Sequence, residues 1–191
     1  LVEIQRAETK AVAAGWREIG ALALDRKDRG EMTTAEVLPV YEEAQRLDPE
    51  DSWGWVVLRR LYQDAGHLPD ARRAAQEALD RAQGDRDRSV ASSGLGDVEV
   101  AAGDLEAARR RFQQSLEIGQ SLAEANPSSA AAQRDLIVSH AKLASLPGGG
   151  RHWVEALKIA EKLQREDRLA PRDAWMIDYL RQRAAAVREQ P

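Results

Sequence analysis

The nineteen residues Asp64-Ala-Gly-His-Leu-Pro-Asp-Ala-Arg-Arg-Ala-Ala-Gln-Glu-Ala-Leu-Asp-Arg-Ala82 return 37 positions later as Ala101-Ala-Gly-Asp-Leu-Glu-Ala-Ala-Arg-Arg-Arg-Phe-Gln-Gln-Ser-Leu-Glu-Ile-Gly119, with eight identities at constant offset. The identities include what a helical hairpin requires. Gly66 and Gly103 suit a tight turn, and Leu68 and Leu105 follow it. Ala71 and Ala108 are small enough to let two helices touch, and Leu79 and Leu116 fall two turns further on. A period of about 35 to 40 residues with two helices in each unit predicts an all-α, right-handed superhelical array of antiparallel helix pairs. Such an array presents a surface rather than a reaction centre.

Working outward from this repeat, residues 1 to 24 place Val2, Ile4, Ala7, Ala11, Val12, Trp16, Ile19 and Ala23 at three- and four-residue steps, which predicts one amphipathic helix ending near Asp25. Thr33 and Glu36 stand at capping-box spacing ahead of a second helix, and Pro39 predicts a kink or a later start within it. Further helices are expected over residues 52–65, from Pro69 to the Gly84-Asp85 break, and over 87–102, with a long one from Asp104 to Ala125. Three more follow over 129–146, 152–167 and 172–188, with a flexible loop expected at Pro147-Gly148-Gly149-Gly150. The array is thus about four pairs, approximately residues 12–50, 51–85, 87–126 and 129–168, closed by a C-terminal capping helix over 170–189, all one domain spanning 1–191.

Composition fits this architecture: the 191 residues are 43% hydrophobic and 31% charged, with a single Phe. The 28 basic and 32 acidic residues are interleaved, giving a net charge of −4 and no nucleic-acid footprint. The densest basic cluster, Arg109 to Arg111, is flanked by Glu106 and Glu117 and reads as a solvated helix face. Absence of cysteine excludes disulfides and thiolate chemistry, and no apolar run approaches the roughly 18 residues of a membrane span. A soluble, cytoplasmic protein is expected. The opening at Leu1 without Met suggests a piece of a longer or processed chain.

The residues Trp55, Leu58, Tyr62, Gly66, Ala71 and Ala78, and again Leu95, Gly96, Gly103, Ala108 and Phe112, resemble the tetratricopeptide repeat pattern. Trp16, Ile19, Gly20, Tyr41, Ala44 and Pro49 fit a first unit with about five extra residues between its helices. Leu143, Trp153 and Ala156 keep a trace of a fourth. Glu99 stands where the family tyrosine belongs, and the second helix of the third unit is overlong, as in repeats of bacterial multi-domain signalling and adaptor proteins. The resemblance implies a non-catalytic module that binds a partner peptide or helix in a concave groove, or else a structural spacer or self-association domain of a larger bacterial signalling or effector protein.

Chemical motifs are weak. Asp25 to Glu36 looks like a calcium-binding EF-hand loop, with Gly30 at its sixth place, but Lys27 and Arg29 occupy positions that require oxygen ligands. Gly94-x-Gly96 lacks a third glycine and a preceding strand, so its glycines read as packing positions. The Gly148–Gly150 run lacks the Lys-Ser/Thr of a phosphate loop, and His67, His140 and His152 are far apart without ligand spacing. No catalytic residue, metal site or cofactor site is expected.

Trp53 and Trp55 point about 200° apart on one helix. Trp55 takes the packing place within its repeat, leaving Trp53 to face either the adjacent repeat or the groove. By the same helical phase Arg17, Arg60, Gln63, Asp64, Ser93 and Asp97 line the groove with Trp53. Family members that hold a peptide C-terminus use a Lys/Asn clamp; Arg17, Ala21 and Arg60 stand at those places here, which removes that mode and leaves Arg17 or Arg60 to pair with an acidic side chain.

Overall fold

The computed structural model describes residues 2–188. Within them the chain is all α-helix apart from one short 3-10 turn and the connecting segments, with no strand. The helices are α1 (Val2–Asp28), α2 (Thr34–Leu47), α3 (Ser52–Asp64), α4 (Leu68–Asp80), α5 (Asp85–Ala101), α6 (Leu105–Ala125), α7 (Ala130–Ala144), α8 (Arg151–Arg165) and α9 (Trp175–Arg188). This is the expected array class: about four helix pairs, then the 3-10 turn Pro171–Asp173 and α9 as a C-terminal cap. Residue 189, the expected end of the cap, and the Val2 side chain lie outside the described residues. The chain divides into two compact units, one ending at Gly103 and the other starting at Asp104.

In the first unit α1 packs on α2, α2 on α3, α3 on α4 and α4 on α5. Small residues set the spacing. Ala71, Ala74, Ala75 and Ala78 line the buried face of α4 at three- and four-residue steps. A Cβ on Gly20 of α1 would come within 2.8 Å of the Tyr41 ring, so glycine lets that ring lie flat on the helix. Val37, Tyr41, Leu58, Leu61, Tyr62, Leu95 and Val98 complete the core, with Trp55 packed against it. Gly66 and Gly103 end α3 and α5 with φ of 78° and 81°, the left-handed geometry that a hairpin turn requires and glycine adopts without strain.

The helix ends follow the sequence signals. Thr33 and Glu36 form the expected capping box, with Glu36 accepting from the Thr33 amide at 2.8 Å. That bond, with one from the Thr33 hydroxyl, holds the Glu36 carboxyl below its usual range. The capping box fixes the start of α2 at Thr34, and the helix then continues through Pro39 without a delayed start. Asp104 and Ser129 cap α6 and α7 through the amides of Ala107 and Ala132.

In the second unit α6 packs on α7, α7 on α8 and α8 on α9. Ala108, Phe112, Leu116 and Ala123 of α6 meet Leu136, Leu143 and Leu146, while Trp153, Ala156, Ala160 and Leu163 of α8 meet Ile177, Leu180 and Ala184 of α9. The segment Pro147–Gly150, expected as a flexible loop, is a turn in which Pro147 and Gly148 are exposed and Gly149 is packed. Gly149 is buried against the Leu143 carbonyl, where a Cβ would collide, and its amide donates to Leu146 at 2.9 Å. Gly149 and Gly150 are there for close approach, whereas Gly148 supplies a φ of 74° with open space around it.

Candidate partner-binding face

All seven residues expected to line the groove fall in the first unit, on α1, α3 and α5. Trp53 follows the first residue of α3, whose N-cap is Asp51. Its side chain is 58% exposed, so it does not pack into the neighbouring repeat. Trp55 turns inward instead, donating its indole N–H to the Pro49 carbonyl at 2.9 Å with the Arg81 guanidinium over the ring. Trp53, Arg60 and Asp64 share one side of α3 within about 40° of arc.

The polar members are cross-linked from helix to helix. Arg17 of α1 donates to Asp48 and to Asp51, each at 3.3 Å, and so holds the cap that begins the helix carrying Trp53. Arg60 donates to Asp28 of α1 at 3.1 Å, and Lys27 of α1 donates to Asp64 at 2.8 Å. Between α3 and α5, Arg59 lies 3.6 Å from the Asp97 carboxylate and donates to Gln63, which in turn donates to the Asp97 carbonyl at 3.5 Å. Ser93 is half-buried on α5, one turn before Asp97. The structure therefore brings Arg17 and Trp53 together through Asp51, and Arg60, Asp64, Gln63 and Asp97 into one ladder. Arg17 and Arg60 each hold a carboxylate of the same chain, and the Arg60 side chain is still about half exposed.

Lys27, Asp28 and Arg59 belong to this ladder and were not singled out by the sequence. Arg59 is the most enclosed, and burial pulls its guanidinium below the usual value while Asp97 opposes the shift. It fits there because Gly94 faces it: a Cβ on Gly94 would lie 3.2 Å from the Arg59 Nε. Gly94 is thus the packing glycine its setting implied. Counting Arg17, Lys27, Arg59 and Arg60 against Asp28, Asp48, Asp51, Asp64 and Asp97, the face carries one excess negative charge.

The other motifs resolve structurally. In the calcium-like segment, Asp25 pairs with Arg29, Glu31 with Arg26 and Arg29, Lys27 with Asp64, and Glu36 closes the cap. Among the described residues no group of three His, Cys, Asp or Glu is placed to hold a metal ion. Two of the histidines do meet: the Nδ1 atoms of His140 and His152 lie 3.0 Å apart across α7 and α8. Burial holds both below their ordinary value; His152 adds to the lowering of His140, Arg151 and Arg109 add to that of His152, and Glu155 opposes both. Their separation of 12 residues spans a helix-pair turn, a proximity that single-helix spacing rules do not register.

The tetratricopeptide repeat family model matches residues 58–121, from within α3 to within α6. Among solved structures, the chain is similar to a putative kinesin light chain with nearly identical TPR-like repeats from Podosopora anserina. The two are 16% identical, the match covers 92% of this chain and 96% of that one, and the TM-score is 0.57. A structure of MamA protein matches at 14% identity over 83% of this chain and 96% of that one, with a TM-score of 0.43. No curated protein matches the sequence. The fold and the repeat match together define a tetratricopeptide-like repeat domain.

Proposed function

We propose that this chain is a non-catalytic protein-interaction module that docks a partner peptide or helix on the concave face of α1, α3 and α5. Trp53 is the anchor, set in a wall formed by Arg17, Arg60, Gln63, Asp64, Ser93 and Asp97. The observation that carries this reading is an indole 58% exposed on a face whose polar groups are otherwise tied to one another. An exposed aromatic on a pre-organised wall loses little ordering entropy when a partner docks, and tryptophan is the residue type most enriched among interface anchors. Because the ladder neutralises its own arginines, the partner is expected to bring an apolar or aromatic side chain to Trp53 rather than an acidic one to Arg60.

The whole of residues 1–191 acts in this reading as one repeat domain of a cytoplasmic bacterial signalling or adaptor protein. No helix among the described residues is long and apolar enough to cross a membrane. The internal pairing of Arg17 and Arg60 also favours a second reading, in which the face is idle and the array is a structural spacer of a larger protein. Affinity capture from native extract, wild type beside Trp53→Ala with Arg60→Ala and read by mass spectrometry, separates the two. A protein captured by the wild type and lost from the double variant supports the interaction module. Identical sets on both baits support the spacer.

A further inference from the structure

α1 carries two apolar faces, and only one of them is used. Ala13, Gly20 and Ala23 point into the first unit, where Gly20 seats the Tyr41 ring. On the other side Ile4, Val12, Ile19 and Leu22 are 62%, 54%, 53% and 69% exposed. At 100° per residue these four and Gly15 lie within about 80° of arc, with Ala11 just beside it, and about opposite Arg17. Exposed apolar side chains scattered singly are ordinary, whereas four aligned on one helix mark an interaction surface.

The order of residues along this stripe identifies its occupant. Glu8 and Arg26 stand at its two ends, 18 residues apart. That is about five whole turns, so both sit on the midline of the stripe. Two antiparallel copies of α1 related by a two-fold axis at the level of Arg17 place Glu8 opposite Arg26 of the second copy, and Arg26 opposite its Glu8. Between these ends Val12 lies beside Leu22, and Ile19 lies over Gly15, where no atom comes within 4 Å of an added Cβ. Large residues therefore meet small ones and both charge pairs are opposite in sign. A parallel pairing in the same register would instead set Glu8 on Glu8 and Arg26 on Arg26. Arg26 can reach across, since its bond to Glu31 is 3.4 Å long and both side chains are about half exposed.

We propose that the outer stripe of α1 is an isologous self-association surface, and that this chain forms an antiparallel α1–α1 dimer through Val12, Gly15, Ile19 and Leu22, closed at each end by Glu8 and Arg26. The surface is on the far side of α1 from Arg17, so the dimer does not depend on whether the proposed binding face is occupied.

Sedimentation velocity of the 191-residue chain over a wide concentration range tests this, with Ile19→Asp, Leu22→Asp, Glu8→Arg, and Glu8→Arg combined with Arg26→Glu. The wild type is expected to pass from its 21.1 kDa monomer mass towards twice that value. Ile19→Asp, Leu22→Asp and Glu8→Arg each weaken association by about tenfold or more, and the charge-swapped double variant returns to within about threefold of wild type. At dilutions where all are monomeric, thermal melting stays unchanged, since the altered side chains face water in the monomer. A chain that remains monomeric at the highest concentration overturns the proposal and leaves the stripe to a foreign helix. So does a dimer indifferent to both Asp substitutions, or a charge swap that fails to restore what Glu8→Arg removes.

Discussion

Tyr62 and Glu99 occupy the same place in consecutive repeats, and they solve the same problem with opposite chemistry. Tyr62 of α3 donates its hydroxyl to Glu42 of α2 at 2.8 Å. Glu99 of α5 accepts two bonds from the Arg72 guanidinium of α4, both at 2.8 Å. In each case a buried side chain on the first helix of a pair reaches back to the second helix of the preceding pair. The geometry of the repeat demands a polar link there, while the identity of donor and acceptor is interchangeable. Glu99, the clearest departure from the tetratricopeptide pattern, is therefore a compensated substitution.

The comparison breaks most visibly at Arg72. Arg72→Met strands a carboxylate that is 5% exposed. Because the arginine itself is half in water, the expected loss is about 2–3 kcal/mol, at the low end for a broken buried pair. In a chain of this length that lowers the melting temperature by about 5–10 °C in a calorimetric scan. Combining Glu99→Tyr with Arg72→Glu puts a tyrosine–carboxylate pair at the link between α4 and α5 and is expected to return stability to within about 1 kcal/mol of wild type. A double variant that melts as low as Arg72→Met would show that the two positions are not equivalent.

Tyr62→Phe tests the other half and is expected to cost about 1 kcal/mol at neutral pH. It also has a pH signature. Burial first, and then the bond to the Glu42 carboxylate, push the Tyr62 hydroxyl up to about 12 from an ordinary value of 10.0. The folded state thus binds more protons than the unfolded state between those values, so the contribution is complete below pH 10 and is lost as pH rises towards 12. The Tyr62→Phe variant should lack this part of the alkaline slope in denaturant titrations. Burial also raises Tyr41, which both proteins share and which cancels in the difference.

The smallest effects are expected on the proposed binding face. Trp53→Ala and Arg60→Ala should each change stability by less than about 0.5 kcal/mol, since one side chain stands in solvent and the other forms an exposed ion pair. A melting shift of several degrees for Trp53→Ala would place that indole in the fold rather than at a contact.

Much of this was legible because repeat architecture writes its requirements locally. The glycines at 66 and 103, the Thr33–Glu36 box and the alanine-lined face of α4 are each decided within one or two turns of helix. What escaped the sequence depends on contacts between helices. Periodicity marked Ile4, Val12 and Ile19 as part of one apolar face with Ala23, but three- and four-residue steps continued around α1 and merged an inner face with an outer one. Helical phase grouped Arg17, Arg60 and Asp64 as one face, yet it cannot show that Asp48, Asp51, Asp28 and Lys27, 31 to 37 residues away, would claim them. For the same reason the meeting of His140 with His152, and the collision that makes Gly149 a packed turn, follow from hairpin geometry that composition does not encode.

The most direct measurement is hydrogen–deuterium exchange of the full chain with and without the partner recovered by affinity capture. The account predicts new protection confined to the segments carrying Arg17 to Asp28, Trp53 to Asp64 and Ser93 to Asp97, and its loss in Trp53→Ala. Protection that falls elsewhere, on α9 or on the outer stripe of α1, with those three segments unchanged, would contradict it.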